Sequence, residues 1–197
     1  MKKEFKTLLQ ELRNIHSDFK VIAIDAIEVA EWVLWKCEYG CKAYGKHLTC
    51  PPYTPGPEET RKLLSSYEKA VITRFDDVQP NDKVPPAHIH HFLWDAIFKM
   101  HDTMFELERY TFLSGYYKAF AMTALPCTYC QDCLPEREGF DLDYASKRFC
   151  QHQDKVRPSM EACGIDVYKT VRSVGYEVDV RTSPYDRLTF FGLLLIE

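Results

Sequence analysis

Cys127, Cys130 and Cys133 stand at C-x2-C-x2-C spacing between Pro126 and Pro135. A loop this short turns three thiolates towards one centre, so the rest of the chain must fold to hold that centre and supply its missing ligand. The spacing suits an iron–sulfur cluster better than a lone zinc ion. Bacterial ferredoxins place a fourth cysteine four residues further on, where this chain has Arg137. Cys150 is the nearest candidate downstream, after a loop of 16 residues. With it the site becomes a four-thiolate 4Fe–4S centre closed to outside ligands. The alternative is structural zinc on the same four thiolates, although such sites usually use two separated C-x2-C pairs.

A second group is Cys37, Cys41 and Cys50, leading into Pro51-Pro52. Eight residues separate Cys41 from Cys50, which does not match the C-x3-C-x2-C of radical S-adenosylmethionine enzymes. Gly40 and Gly45 allow the backbone angles of a ligand loop, and the prolines stiffen its exit. Three thiolates can hold a second cluster with one coordination position open, as activation of a small molecule by a metal requires. Cys163 or His47 could instead close it, but Cys163 also fits a buried apolar thiol. Lys36, Lys42, Lys46 and His47 flank this group, and Lys147, Arg148, Lys155 and Arg157 flank Cys150. Of these, Lys36, Lys46, Arg148 and Arg157 are the cations expected to stabilise an anionic cluster. The other reading is a solvated charged surface.

The eight cysteines decide more when compartment is considered. The N-terminus, Met1-Lys2-Lys3-Glu4-Phe5-Lys6, lacks the apolar run of a signal peptide, and no stretch approaches a membrane span. A cytoplasmic protein is expected, in which cysteines serve metal or redox chemistry rather than disulfides. A net charge of −4 argues against a general nucleic-acid binder. A chain of 197 residues fits one domain, 1–197, with ligand loops at 37–53 and 126–158.

Hydrophobic periodicity supplies the scaffold. Residues 3–16 read as an amphipathic helix with Phe5, Leu8, Leu9, Leu12 and Ile15 on one face. Lys20–Ala26 and Ala70–Phe75 read as strands. Trp32–Lys36 is an apolar run leading into Cys37. Pro57, with Glu58 and Glu59, opens a helix to about Tyr67. A helix over Ala87–Ser114 is apolar across so wide an arc that it is central to the fold or shared with a second copy of the chain. Tyr117–Leu125 reads as a strand delivering Cys127. Ser159 reads as the N-cap of a helix ending at Gly175. Tyr176–Arg181 alternates as a strand does, and Leu188–Ile196 is a strongly apolar strand. The expectation is an α+β or α/β fold: one mixed sheet of four or five strands packed with helices.

His88 and His91 lie one helical turn apart and could share a ligand, or simply form a polar helix start. His101, on an aromatic stripe, reads as a buried hydrogen-bonded histidine. No G-x-S-x-G, P-loop or G-x-G-x-x-G pattern occurs, so the hydrolase, nucleotide and dinucleotide signatures are absent.

Two further runs complete the pattern. One is Glu31-Trp32-Val33 to Lys36-Cys37, Gly40-Cys41, Tyr44-Gly45 and Cys50-Pro51-Pro52-Tyr53. The other is Arg157-Pro158-Ser159-Met160-Glu161-Ala162 with Gly164-Ile165-Asp166-Val167. Together with Cys127, Cys130, Cys133 and Cys150, they resemble the family catalogued as predicted metal-binding protein, domain of unknown function 2284, over about residues 20–195. The resemblance implies metal binding, and its cysteine pattern suggests iron–sulfur clusters; it supplies no reaction, and the histidines at 88–91 are outside it. The function expected is an iron–sulfur protein with one closed cluster for electron transfer and a second centre for a small molecule. It would act as an oxidoreductase component with a redox partner protein. The alternatives are a structural zinc module for protein–protein interaction, and a metallochaperone or sensor with exchangeable metal.

Overall fold

The structure, a computed structural model, describes residues 2–78, 93–137, 149–180, 182–183 and 186–197. The helices among these are α1 (Phe5–Ile15), α2 (Glu31–Gly40), α3 (Pro57–Leu64), α4 (Trp94–Leu113) and α5 (Val167–Ser173). The strands are β1 (Phe19–Ala23), β2 (Lys69–Val78), β3 (Phe120–Met122) and β4 (Leu188–Ile196), and they form one sheet in the order β1-β2-β4-β3. This is the α+β arrangement with four strands. The expected mixture of strand directions narrows to an antiparallel sheet, since all three ladders are antiparallel. The one parallel pairing among the described residues is an isolated bridge, Thr123 with Ser159.

The sheet is covered on both faces, and the sequence of β4 shows why. Successive strand side chains point to opposite faces, yet residues 190–196 are all buried, so both sets of side chains need apolar partners. Phe191, Leu193 and Leu195 pack with Ile22, Ile72, Leu64, Met160, Cys163 and Val171. Leu194 and Ile196 pack with Val71, Leu8 and Leu12 of α1, and Met104 and Leu107 of α4. Leu93, Ile97 and Met100 extend that second face over Leu188 and Phe190. Gly192 lies on the α4 side. A Cβ there would stand 2.5 Å from Met104 Sδ, so the glycine lets the helix sit directly on the strand.

Three expectations change. The helix read from Ser159 is broken: residues 161–163 form a 3-10 turn, Gly164 adopts φ +80°, and α5 starts at Val167. Pro57 packs on Gly164, where a Cβ would meet Pro57 Cγ at 2.8 Å. The helical stripe of Met160, Cys163 and Val171 is buried all the same. The true N-cap is Asp166, whose side chain accepts from Lys169 N–H at 3.0 Å. Residues 176–180 pair with no strand. Tyr176 is buried by ring packing on Phe191, with centroids 5.3 Å apart, and donates to Asp18 Oδ1 at 3.1 Å, so apolar alternation arises there without a ladder. The strand expected over Tyr117–Leu125 shortens to Phe120–Met122. The run at Trp32–Lys36 belongs to α2, which continues through Cys37. The beginning of the helix expected from Ala87, with His88, His90 and His91, lies outside the described residues. Among those described, no helix is long and apolar enough to cross a membrane.

Candidate metal centre

The first cysteine group is built from the end of α2 and the turns after it. Cys37 is on the helix, and Cys41 caps it, donating its N–H to Cys37 O at 3.2 Å. Gly45, at φ +70°, donates to Pro51 O at 2.9 Å, which folds the segment back on itself. Cys50 N–H donates to His47 O, also at 2.9 Å. Cys37 is half-buried, Cys41 exposed and Cys50 buried. Burial pushes the Cys37 thiol up to about 11, with Cys41 and then Glu161 adding to it. Burial raises Cys50 further, followed by the charges of Cys41, Cys37, Cys127 and Cys133.

The second group hangs from the edge strand β3. Thr123 bridges to Ser159, with Thr123 N–H donating to Pro158 O at 2.8 Å and Met160 N–H to Thr123 O at 2.9 Å. Leu125 then takes φ +64°, a left-handed angle that costs a non-glycine residue about 1–2 kcal/mol, and turns the chain into Pro126 and Cys127. Cys127 N–H donates to Thr49 Oγ1 at 3.3 Å, tying the two cysteine loops together. Cys127, Cys130, Cys133 and Cys150 all line one pocket, together with Leu48, Thr49, Tyr129, His152 and Val156. Tyr129 forms an aromatic wall with Phe98, His101 and His152, at centroid distances of 5.3, 6.1 and 5.3 Å.

Four thiols facing one pocket repel one another once ionised. Burial, above all, carries Cys127 up to about 12, with Cys133, Cys150 and Cys130 adding to it. Burial and Cys150 raise Cys130, while Arg137 opposes them. Backbone N–H groups work against this cost. Tyr129 donates to the Cys127 sulfur, Leu48 and Leu134 donate to that of Cys133, and His152 N–H donates to Cys150 Sγ at 3.4 Å. Such N–H groups favour thiolate and tune metal–sulfur centres. Two buried hydroxyls beside the pocket, Thr128 Oγ1 and Tyr129 Oη, have no hydrogen-bond partner among the described residues. The donor set therefore fits a cationic, sulfur-ligated group, whose charge would relieve the repulsion among thiolates. Among the described residues, no three metal-binding side chains converge on the position of a single ion.

Among the described residues, the other expected ones do not line the pocket. Lys36 is exposed, its ammonium 5.3 Å from the Trp32 ring centroid, and Lys42 and Lys46 are exposed. Lys155 donates to Asp102 Oδ1 at 3.3 Å. Arg157 is held by Glu108 through Nε–Oε2 at 2.6 Å and a second contact, Nη2–Oε1. Its guanidinium thus braces α4. Lys147 and Arg148 lie outside the described residues. Cys163 is 1% exposed within the apolar core, the apolar alternative for that thiol. His101, also buried, approaches Ala124 O at 3.2 Å through Nε2.

Sequence reasoning missed two things. The two cysteine groups adjoin: Leu48 and Thr49 line the four-thiol pocket while Cys50, the next residue, shares its surroundings with Cys37 and Cys41. Glu161 also lies near Cys37. Its only signal in sequence was an acid inside the otherwise apolar run Met160-Glu161-Ala162-Cys163.

No curated protein and no solved structure matches the chain. The family model described as predicted metal-binding protein (DUF2284) matches residues 20–196, which takes in both cysteine groups and all of the sheet's strands but Phe19. The chain belongs to this family of predicted metal-binding proteins.

Proposed function

We propose that the chain is an iron–sulfur protein with two adjacent centres. Cys127, Cys130, Cys133 and Cys150 hold a closed 4Fe–4S cluster, and Cys37, Cys41 and Cys50 hold a second centre with one coordination position left to a ligand other than cysteine. The observation that carries this reading is the single pocket lined by four thiols, three of whose sulfurs accept backbone N–H groups. A zinc ion with sulfurs at about 2.3 Å needs its thiolates to crowd on one point. Three thiols from one C-x2-C-x2-C loop with Cys150 in the same pocket suit a polynuclear group better.

A cluster supplies one-electron chemistry when bound. The chain's own part is to exclude water with the Tyr129 wall, to donate hydrogen bonds to the sulfurs, and to set the second group beside the first through Leu48-Thr49-Cys50. That adjacency supports electron transfer from the closed centre to the three-cysteine centre, where a small molecule would bind. Trp35 and Tyr39, 68% and 82% exposed on α2 beside Cys37, favour docking of a redox partner protein there.

Iron, acid-labile sulfide and zinc analysis of anaerobically prepared protein, with electron paramagnetic resonance (EPR), tests the reading. The expected result is about eight irons and eight sulfides per chain. Cys150→Ser is expected to remove the first cluster's signal and Cys50→Ser the second's. One tightly held zinc without sulfide would overturn the proposal in favour of a structural zinc module.

A further inference from the structure

α2 carries apolar side chains on two sides, and the fold covers one of them. Val33 is buried, and the helix packs on the turn 161–163. Trp32, Trp35 and Tyr39 stand at i, i+3 and i+7, so they share another face, where their exposures are 47%, 68% and 82%. Aromatic rings carry a large apolar area that burial would remove from water. A contiguous bare patch of them, rimmed by polar residues, marks a contact surface. Lys36, one turn from Trp32, lies on the same face with its ammonium 5.3 Å from that ring's centroid.

The charge around the patch is mainly of one sign. Elsewhere lysines are neutralised: Lys3, Lys62, Lys155 and Lys169 each pair with a carboxylate. Lys36, Lys42 and Lys46 are exposed and form no ion pair among the described residues. Glu31, at the start of the helix, is taken up by Arg61 at 2.8 Å. Glu38 follows Lys36 by two residues, which puts it on the other side of the helix. In a chain of net charge −4, three unpaired ammonium groups within eleven residues are a local reversal of sign. Cys41, the exposed thiol of the three-cysteine group, lies between Tyr39 and Lys42 in this stretch.

We propose that this face docks a small electron-carrier protein through an acidic surface, with Trp35 and Tyr39 as anchors and Lys36, Lys42 and Lys46 as the charged rim. The inference rests on the electron-transfer reading above and gives the partner its chemistry. Trp and Tyr concentrate binding energy at interfaces, and rim charges set association rate and salt dependence. Single-stranded nucleic acid also stacks on aromatic rings beside cations. Its length, however, would carry it past three lysines onto a surface whose net charge repels it. A compact acidic protein meets only the basic patch, and it is delivered beside Cys41.

The test titrates the full chain, loaded anaerobically with iron and sulfide, with a plant-type 2Fe–2S ferredoxin as the acidic carrier, by isothermal titration calorimetry. One-to-one binding is expected, weakening about tenfold between about 50 and 300 mM salt. Trp35→Ala/Tyr39→Ala should weaken binding about tenfold or more. Lys36→Glu/Lys42→Glu/Lys46→Glu should do the same and flatten the salt dependence. A measurement on wild-type protein avoids any folding defect of the variants: polyglutamate at constant ionic strength should displace the ferredoxin. Absence of binding, binding that both variants retain, or equal binding of a basic carrier such as cytochrome c would overturn the proposal. Tighter binding of oligouridylate than of ferredoxin, lost in the same variants, would overturn it in favour of a nucleic-acid platform. Iron and sulfide analysis of the same sample separates the two readings. Zinc alone, with ferredoxin still bound, overturns the electron-transfer reading and the carrier assignment with it; about eight irons without ferredoxin binding overturns the docking proposal alone.

Discussion

Glu108→Gln should destabilise the protein strongly, because it strips a nearly buried arginine of its counter-ion. Arg157 and Glu108 have side-chain exposures of 15% and 12%. Glu108 Oε2 accepts from Arg157 Nε at 2.6 Å and from Ala121 N–H at 2.7 Å, and Oε1 meets Arg157 Nη2. Arg157 Nη1 donates in addition to Val156 O at 2.9 Å. Removing one partner of a buried pair costs about 3–5 kcal/mol. The residual exposure, and the amide's ability to keep one bond, place Glu108→Gln near the lower end, about 3 kcal/mol. For a chain of this length that is roughly 6–12 °C in Tm.

The pair joins α4, β3 and the strand-like segment before Ser159. The loss should therefore reach Cys127 through the Thr123–Ser159 bridge and weaken metal retention in the four-cysteine pocket. Urea unfolding of metal-free protein under reductant measures the cost, in a double-mutant cycle with Arg157→Met. Each single variant should lose about 3 kcal/mol, and the double variant much less than the sum, because the neutral Gln–Met pair leaves no buried charge. Single losses below about 1 kcal/mol, or additivity within about 0.5 kcal/mol, would refute the argument.

Other outcomes follow from the same structure. Burial of His101 lowers its pKa to about 4, below the roughly 6.5 of an unfolded chain. The unfolded state then binds more protons between these values, so stability is full above about pH 6.5 and falls as pH drops towards 4, with about 2 kcal/mol lost by pH 5. Urea midpoints at pH 7.5, 6 and 5 should show a slope that His101→Gln flattens; an equal slope in the variant would contradict this origin. Gly192→Ala should cost about 1–3 kcal/mol by overpacking against Met104, read as a lower Tm, and an unchanged Tm would show that Met104 moves freely. Cys163→Ala should leave iron content unchanged while lowering stability by about 1 kcal/mol, since that thiol sits in the apolar core; loss of iron would make it a ligand instead.

Much of the scaffold was legible because its signals are local. The heptad-like spacing of Leu8 and Leu12 fixes the buried face of α1, and both appear fully buried. The run Leu188–Ile196 cannot be satisfied at an exposed edge, and it became the strand paired on both sides. The reading failed where a local pattern was met by tertiary packing. The stripe through Met160, Cys163 and Val171 looks helical, but Gly164 under Pro57 divides it. The alternation at Tyr176–Val180 is satisfied without a ladder, because Tyr176 rests on Phe191.

Sequence alone determined the grouping of cysteines, because C-x2-C-x2-C brings thiols together through short-range geometry in whatever fold carries it. It also determined membership of a metal-binding family through the combination of motifs. Only the tertiary structure decided how distant segments meet. Thr49 is 78 residues from Cys127, yet they share a hydrogen bond, so the two groups are neighbours. Arg157 is paired with Glu108, 49 residues earlier in the chain, by charge and burial. The turn 161–163 is held in place by hydrogen bonds from Ala30 and Thr54, each more than 100 residues away. Such placements depend on long-range packing, which spacing along a chain does not encode.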